Sequence, residues 1–229
     1  MTAPAVVLTD IEGTTTDIAF VHETLFPLSR RALPEYVDAH WDSDEILAAR
    51  AVTGRHDAAG LVAELSAWID ADRKEPTLKA IQGKIWRGAF ESGRVKSHVY
   101  ADVPVAFRRW KDRGLRIAVF SSGSVEAQQL LFRHAECGDL TPFLSAFFDT
   151  TTGPKRESHS YAAIVRALGT LVATAPAAAS SVLFLSDVTA ELDAAQAAGL
   201  LTKQLLRPGI SDDPKSAHAK IRTFDELDF

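Results

Sequence analysis

The chain has little cysteine, no excess of positive charge and no long apolar run. Cys137 is the only cysteine among 229 residues, which excludes an internal disulfide and a metal site built from several thiolates. Lysine and arginine number 25 against 30 aspartates and glutamates, for a formal net charge of -5. No basic run is long enough to follow a nucleic-acid backbone. We therefore expect neither nucleic acid nor an anionic membrane as a partner.

Targeting and membrane-spanning patterns are also missing from the sequence. The N-terminus lacks a basic start followed by an apolar core, and the longest apolar-looking stretch, residues 171–185, is interrupted by Pro176 and small polar residues. These absences predict a soluble, cytoplasmic protein.

What the chain does have is enough apolar residues, 46% of the total, to bury a sizeable core. Helical patterns covering residues 124–135, 161–168 and 189–198 lie between short apolar or β-branched runs, and Gly199 follows the last of them as a C-cap. Alternating strands and helices predict a doubly wound α/β fold with a parallel sheet. The runs that read as buried strands are residues 5–9, 115–120, 145–148, 182–186 and 202–206.

One long segment departs from this alternation. Residues 17–102 contain helix patterns, one beginning at 42–45 and two more at 58–69 and 76–90, and no convincing strand. The segment is too long for a crossover connection, so we expect residues 17–102 to form an inserted all-helical cap domain. Residues 1–16 and 103–229 then form the α/β core, with flexible joints near residues 16–20 and 100–104.

Polar side chains follow the predicted strands at the points where the strands end. Each one taken singly has an ordinary explanation, because an Asp or Ser after a strand is often a helix cap and a lone Lys is usually solvated. Together they are informative, since ligands of open α/β sheets bind at the carboxyl ends of strands where the winding reverses. The residues concerned are Asp10, Ser121, Ser122, Lys155 and Asp187, with Asp149 at the end of the third strand.

Carboxylates, hydroxyls and a lysine in one place suit a phosphorylated substrate and Mg²⁺, a hard cation that keeps several waters and pairs with phosphate oxygens. Hydrolysis of a phosphate monoester can require an acceleration of up to about 10²¹, whereas one general acid or base supplies only about 10² to 10⁴. Acid–base catalysis alone is therefore insufficient. A nucleophilic carboxylate with cationic stabilisation of the phosphoryl group supplies the difference.

The order of these motifs resembles the haloacid-dehalogenase-like hydrolase superfamily, and the resemblance covers the whole chain. Within that superfamily the chain resembles more closely the enolase-phosphatases, or acireductone synthases, of methionine salvage. The segments that carry this resemblance are residues 10–15 (Asp-Ile-Glu-Gly-Thr-Thr), 78–83 (Leu-Lys-Ala-Ile-Gln-Gly), 98–104 (His-Val-Tyr-Ala-Asp-Val-Pro), 121–128 (Ser-Ser-Gly-Ser-Val-Glu-Ala-Gln), 155–158 (Lys-Arg-Glu-Ser) and 184–189 (Phe-Leu-Ser-Asp-Val-Thr).

The resemblance implies a Mg²⁺-dependent phosphoric monoester hydrolase with one Mg²⁺ per subunit, expected as a monomer. It would enolise 2,3-diketo-5-methylthiopentyl-1-phosphate and then remove the phosphate through an aspartyl phosphate, giving acireductone. By position, Asp10 is the nucleophile and a metal ligand, Glu12 is the second catalytic acid and a metal ligand, and Asp187 completes the metal site. Ser121, Ser122 and Lys155 bind the substrate.

Several assignments stay open in the sequence. Glu12 either binds Mg²⁺ through its carboxylate or its backbone, or it shuttles protons. The base of the enolisation is unidentified: Glu12, His22 and His98 are candidates, although a lone histidine is more often structural. Glu191 either orders a metal-bound water or faces solvent near a helix start, and the second interpretation is favoured slightly.

Two other functions compete with this interpretation. A receiver-type signalling module also combines a doubly wound sheet, acids, Mg²⁺ and a lysine, but it carries its phosphorylated Asp on a middle strand and has no helical insert. A phosphatase or phosphomutase acting on another small phosphorylated metabolite is opposed only by the Glu12 motif and the insert.

Overall fold

The computed structural model describes residues 4–170 and 178–229, so most of the small-residue loop predicted at 170–181, including Pro176, lies outside the described residues. The chain divides into two compact units. The sheet unit comprises Met1–Ile18 and Ser97–Phe229, and the helical unit comprises Ala19–Lys96. Residues 97–102 thus belong with the sheet rather than with the inserted helices.

The sheet unit is built on six parallel strands in the order β3-β2-β1-β4-β5-β6. This confirms the predicted parallel sheet, and each of the five predicted strands is present within one residue at either end. The sixth strand was not predicted, because it is only two residues long and one of the two is exposed. The strands are β1 (Val6–Thr9), β2 (Arg116–Phe120), β3 (Leu144–Phe148), β4 (Val182–Ser186), β5 (Leu201–Leu205) and β6 (Lys220–Ile221).

Strand β1 lies where the winding of the sheet reverses. It pairs with β2 on one side and with β4 on the other, and its four residues are fully buried. Chain order runs outward from β1 in both directions, so the loops after β1, β2 and β4 part at their carboxyl ends. The strand therefore delivers the residues that follow it, beginning with Asp10, to the opening between those loops.

The helical unit contains a six-residue π-helix, Phe20–Leu25, followed by four α-helices. Pro27, which has no N–H, stands near the start of the first α-helix, and the Phe26 N–H donates to the Val21 carbonyl five residues back. The α-helices are α1 (Phe26–Ala39), α2 (Asp44–Thr53), α3 (Ala58–Asp70) and α4 (Pro76–Glu91). The absence of strands between residues 19 and 96 agrees with the sequence pattern, although α1 itself was not predicted.

The helical unit has its own apolar core, which explains why it can be compact by itself. Trp86 packs against this core and donates its indole N–H to Ser29 Oγ at 2.7 Å. The fully buried part consists of Leu33, Val37, Ile46, Ala49, Leu61, Leu65, Leu78 and Ile81, with Trp68, Ile69 and Ile85 at most 7% exposed.

Four helices cover the two faces of the sheet: α5 (Asp102–Asp112), α6 (Val125–Arg133), α7 (Ser158–Thr170) and α8 (Thr189–Ala197). Residues of α5 and α6, among them Trp110 and Phe132, pack in one cluster with β1 residue Val7. Residues of α7 and α8, among them Tyr161 and Leu192, pack in a second cluster on the opposite face. Two layers of helices on a parallel sheet confirm the doubly wound fold.

One sequence expectation is wrong in the sheet unit. Residues 100–104 were expected to be a flexible joint, but helix α5 begins at Asp102 and includes Pro104 in its first turn. A proline is tolerated there because the first N–H groups of a helix have no partner within it. Burial of Val103, Phe107 and Trp110 along one face holds the helix against the sheet.

Gly199 has φ +88° and follows Ala198, the C-cap residue of α8, so the predicted glycine ends the helix one position later than expected. Within residues 4–170 and 178–229, no helix combines the length and the apolar character that crossing a bilayer requires.

Candidate active site

Asp10 is the first residue beyond β1, and its side chain is almost completely buried. Its backbone N–H donates to the Leu185 carbonyl of β4 at 2.9 Å, and the whole residue is 3% exposed. A carboxylate in this position has left bulk water, so it needs charged or hydrogen-bonding partners to remain ionised.

The chain turns sharply after Asp10. The Ile11 carbonyl accepts hydrogen bonds from the N–H groups of Thr14, Thr15 and Thr16, and Gly13 donates to the Thr16 carbonyl at 2.8 Å. We call residues 10–16 the nucleophile loop, after the role that the sequence resemblance implies for Asp10. The loop folds back on itself within a few residues, so that Glu12 stays close to the end of β1.

Gly13 is required in this loop for two reasons. Its φ of +73° is strained for any residue with a Cβ. A Cβ built on it would also lie 2.5 Å from Asp187 Oδ2 and 2.7 Å from Asp187 Cγ. The carboxyl group that follows β4 therefore packs directly against the backbone of the nucleophile loop, which brings Asp187 and the loop together as the sequence predicts.

Lys155 connects two of the buried acids. Its Nζ lies 2.6 Å from Asp10 Oδ1 and 2.7 Å from Glu191 Oε2, with only 9% of the lysine side chain exposed. Burial lowers the pKa of Lys155, but the two adjacent carboxylates outweigh burial and raise the pKa above its ordinary value. The lysine therefore stays cationic in the fold.

The backbone that carries Lys155 is itself anchored. Tyr161, fully buried on α7, donates its hydroxyl hydrogen to the Lys155 carbonyl at 2.7 Å. Its ring stands edge-on to Phe120 and Phe184, which belong to β2 and β4. The lysine is thus positioned by the same strands that lead to the other acids and hydroxyls.

Ser121 and Glu12 meet through a hydrogen bond. Ser121 Oγ donates to Glu12 Oε2 at 3.2 Å and accepts from the Gly123 N–H at 3.1 Å. The alternative that Ser121 or Ser122 caps α6 is excluded, because Ser124 is the N-cap and accepts from the Ala127 N–H. Ser122 lies half-buried between Ser121 and Gly123.

Asp187 is likewise not the cap of the helix that follows it. Val188 occupies the N-cap position of α8, and the Asp187 backbone carbonyl accepts a hydrogen bond from Gln204 at 3.1 Å. In the part of the chain that the structure describes, buried Oδ1 of Asp187 has no hydrogen-bond partner. Burial raises the pKa of this carboxyl group to about 6, with a smaller upward contribution from Glu191.

Glu191 corrects the expectation drawn from the sequence. It was favoured as a solvent-facing residue at a helix start, but it is 8% exposed and pairs with Lys155. Ser186 Oγ also donates to its Oε2 at 3.1 Å. Four residues after Asp187 along α8, this acid points back toward the strand end, so it belongs to the same charged cluster.

The histidines considered as bases have other partners. His98 Nδ1 accepts the Asp17 N–H at 3.1 Å, and the His98 carbonyl accepts from Thr16 Oγ1 at 2.9 Å. His22 lies in the helical unit, edge-on to the Phe26 ring. His98 therefore holds the chain that follows the nucleophile loop, and His22 packs within its own unit.

The charge balance of the cluster suits a cation. Lys155 pairs with Asp10 and Glu191, and Glu12 and Asp187 are further acids near Asp10. Burial raises the pKa of Asp10 well above its ordinary value, while Lys155 opposes this shift. Among residues 4–170 and 178–229, no three His, Cys, Asp or Glu side chains converge as a ready-made chelating group. Mg²⁺ does not need such a group, because it is usually bound by one or two carboxylates together with water and phosphate oxygens.

Comparison with known proteins agrees with this geometry. The family model described as haloacid dehalogenase-like hydrolase matches residues 4–199. The enolase-phosphatase E1 of Sorangium cellulosum (strain So ce56) is 58% identical, over 96% of this chain and 96% of that protein. The enolase-phosphatase E1 of Marinobacter nauticus is 46% identical, over 97% of this chain and 96% of that protein.

Solved structures show the same architecture. A crystal structure of the UTR4 protein (unknown transcript 4 protein) from Saccharomyces cerevisiae matches with a TM-score of 0.83 and 35% identity, covering 98% of this chain and all of that one. An L-2-haloacid dehalogenase from Xanthobacter autotrophicus matches with a TM-score of 0.59 at 18% identity, over 97% and 96% of the chains. At that identity the second likeness supports the fold alone.

Proposed function

Because the chain belongs to the haloacid dehalogenase-like hydrolases and, within them, to the enolase-phosphatase E1 family, we propose that it is the enolase-phosphatase of methionine salvage. Its substrate is then 2,3-diketo-5-methylthiopentyl-1-phosphate, which it enolises and dephosphorylates to acireductone. The observation that carries the proposal is the buried pair of Asp10 and Lys155 beside Glu12 and Asp187, at the point where the sheet reverses its winding.

Asp10 acts as the nucleophile. One of its oxygens attacks phosphorus, the bond from phosphorus to the ester oxygen of the substrate breaks, and an aspartyl phosphate forms. Water then attacks this phosphorus, releases phosphate and regenerates the carboxylate. Attack requires the ionised form of Asp10. Lys155 at 2.6 Å supports ionisation, because it opposes the effect of burial on the Asp10 pKa.

Lys155 and the hydroxyls of Ser121 and Ser122 hold the phosphoryl group. The lysine is fixed between Asp10 and Glu191 and anchored through Tyr161, so it meets the substrate oxygens without reorganising. Ser121 is held by the Gly123 N–H, and its one hydroxyl hydrogen, which goes to Glu12 in the free protein, would turn to a phosphate oxygen when substrate binds. Donors placed in advance in a buried site stabilise transferring charge more strongly than water does.

Mg²⁺ fits the acids at this site. The residues that would hold the ion are Asp10, Glu12 and Asp187. The Oδ1 atom of Asp187 is buried without a hydrogen-bond partner among the described residues, which suits a metal ligand. When bound, the ion neutralises charge on the phosphoryl group and favours an enolate next to a polarised carbonyl. The carboxylate of Glu12 already accepts from Ser121, which favours its backbone as the metal ligand and leaves the carboxylate for proton transfer.

We assign proton transfer to Glu12. Its carboxylate is only partly buried and receives one hydrogen bond. It would remove the proton next to the ketone in the enolisation, or donate one to the leaving oxygen in the phosphate step. General acid–base catalysis of this kind contributes about 10² to 10⁴ in rate.

The test is an assay that records two products at once from the diketo-phosphate substrate. Ultraviolet absorbance follows the enol and a coupled assay follows phosphate, for the wild type, Asp10→Asn and Glu12→Gln. We expect both signals from the wild type and no phosphate from Asp10→Asn. If the wild type releases phosphate from generic esters but forms no enol from the diketone, the enolase half is wrong. In that case the chain is a phosphatase for another phosphorylated metabolite.

A further inference from the structure

A buried ion pair lies in the sheet unit outside the acids described above. Arg207 follows β5, and its Nη1 donates to both carboxylate oxygens of Asp102 at 2.9 Å each. The two side chains are 2% and 9% exposed. A pair so far removed from water is costly to assemble unless further hydrogen bonds satisfy it, and its effect on stability alone is often small. Its other contacts therefore indicate what it does.

The same guanidinium group reaches the nucleophile loop. Arg207 Nε donates to the Thr14 carbonyl at 2.8 Å. Thr14 stands between Gly13, which packs against Asp187, and Thr15, whose carbonyl accepts the Tyr100 N–H at 3.0 Å. The loop that begins with Asp10 is thus held through the carbonyls of Thr14 and Thr15 as well as by its packing against Asp187.

Aromatic rings and the C-terminal segment fix the guanidinium group itself. It lies 4.3 Å from the centre of the Tyr100 ring and 5.0 Å from that of Phe224. Asp102 Oδ2 also accepts the Phe224 N–H at 2.7 Å. Arg207 therefore has little freedom to move away from Thr14, because its partners belong to three separate parts of the chain.

We propose that Arg207 is a positioning residue for the reaction: by holding the Thr14 carbonyl while Asp102 holds its guanidinium group, it fixes the nucleophile loop and hence the placement of Asp10 and Glu12. The kinetic part of this inference rests on the proposed function, whereas the structural part does not. A lysine at this position keeps the charge next to Asp102. It has a single nitrogen, however, and lacks the planar fork with which Arg207 bonds the carboxylate and Thr14 at the same time.

The chain offers a matched control in Arg109. This arginine also anchors the C-terminal segment, through Nη2 to the Phe224 carbonyl at 2.9 Å and to the Leu227 carbonyl at 3.1 Å. Its hydrogen bonds go to that segment and not to the nucleophile loop. Arg109→Lys therefore loosens the same C-terminal packing without releasing Thr14.

The experiment compares Arg207→Lys, Arg109→Lys and the wild type by two measurements below the unfolding temperature. The first is steady-state phosphate release with Mg²⁺, corrected for the folded fraction by circular dichroism. We expect kcat of Arg207→Lys to fall about 10²-fold, the size typical of small misplacements of reacting groups, with a much smaller change in KM. Arg109→Lys keeps kcat within a few-fold of the wild type.

The second measurement is hydrogen exchange in peptides that cover residues 10–16, which does not depend on any activity. We expect faster exchange in Arg207→Lys than in Arg109→Lys, because the amides of Thr14, Thr15 and Thr16 are bonded within the loop. Equal exchange in the two variants, or equal kcat, overturns the inference. If the wild type itself releases no phosphate, the proposed function fails and the exchange comparison still decides the role of Arg207.

Should Arg207→Lys not fold, Asp102→Asn takes its place. It keeps the shape of the partner side chain while removing its charge, and the same two results are expected of it.

Discussion

Replacing Gly13 by alanine tests the contact between the nucleophile loop and Asp187. At φ +73° a residue with a Cβ costs about 1–2 kcal/mol relative to glycine. The new methyl group would lie 2.5 Å from Asp187 Oδ2, and overpacking of this kind costs about a further 1–3 kcal/mol. We expect Gly13→Ala to lose about 2–5 kcal/mol in the free energy of unfolding, while the site shifts as loop and carboxylate move apart.

Gly114→Ala is the matched control for that substitution. Gly114 has φ +81°, close to that of Gly13, but a Cβ built on it meets no atom of the described residues within 4 Å. It should cost only the backbone strain, about 1–2 kcal/mol, and leave activity unchanged.

Urea unfolding of both variants measures the stabilities, and phosphate release at saturating Mg²⁺ measures kcat, which should fall about 10²-fold in Gly13→Ala alone. Equal destabilisation of the two variants, with full activity in both, would refute the reasoning.

Two further substitutions test other parts of the site. Tyr161→Phe leaves the Lys155 carbonyl without its donor, so we expect a loss of about 1–3 kcal/mol in urea unfolding and a higher KM for the phosphorylated substrate; an unchanged KM would show that Tyr161 does not help to place Lys155. In metal-free protein, the pKa of Asp187 raised to about 6 means that its contribution to stability is present at low pH and lost as pH rises through about 6. In EDTA, Asp187→Asn should therefore flatten the fall in the free energy of unfolding between about pH 4 and 7, and it should also weaken activation by Mg²⁺; an equally steep pH dependence in the variant would contradict the assignment.

The strands were predictable because each is determined by a short run of neighbouring residues. A strand buried on both faces of a parallel sheet is a short run of apolar residues, and β1 and β4 are fully buried along their length. β6 has two residues, too few to make a pattern. Helix α5 carries an apolar stripe, but residues 100–104 were assigned to a joint because the change from the helical insert to the α/β core was placed there.

The candidate site was predictable only in part, because some of its contacts join residues that lie far apart in the sequence. Asp10, Ser121, Lys155 and Asp187 each follow a strand, and strand ends meet at one edge of the sheet. The sequence does not show in which direction a side chain on a helix points. Glu191, on the alanine-rich helix α8, was therefore taken for a surface residue. Arg207 contacts Asp102 and Thr14 from far along the sequence, and no local pattern marks such a contact.

The central claim is that Asp10 attacks the phosphate of the diketo substrate. The most direct measurement is to quench the enzyme during turnover of that substrate with Mg²⁺, reduce it with borohydride and examine the peptide around position 10 by mass spectrometry. An aspartyl phosphate is reduced to homoserine, so we predict homoserine at position 10 in the wild type and none when substrate is omitted. If the enzyme releases phosphate but Asp10 is found unmodified at every quench time, the covalent mechanism is contradicted.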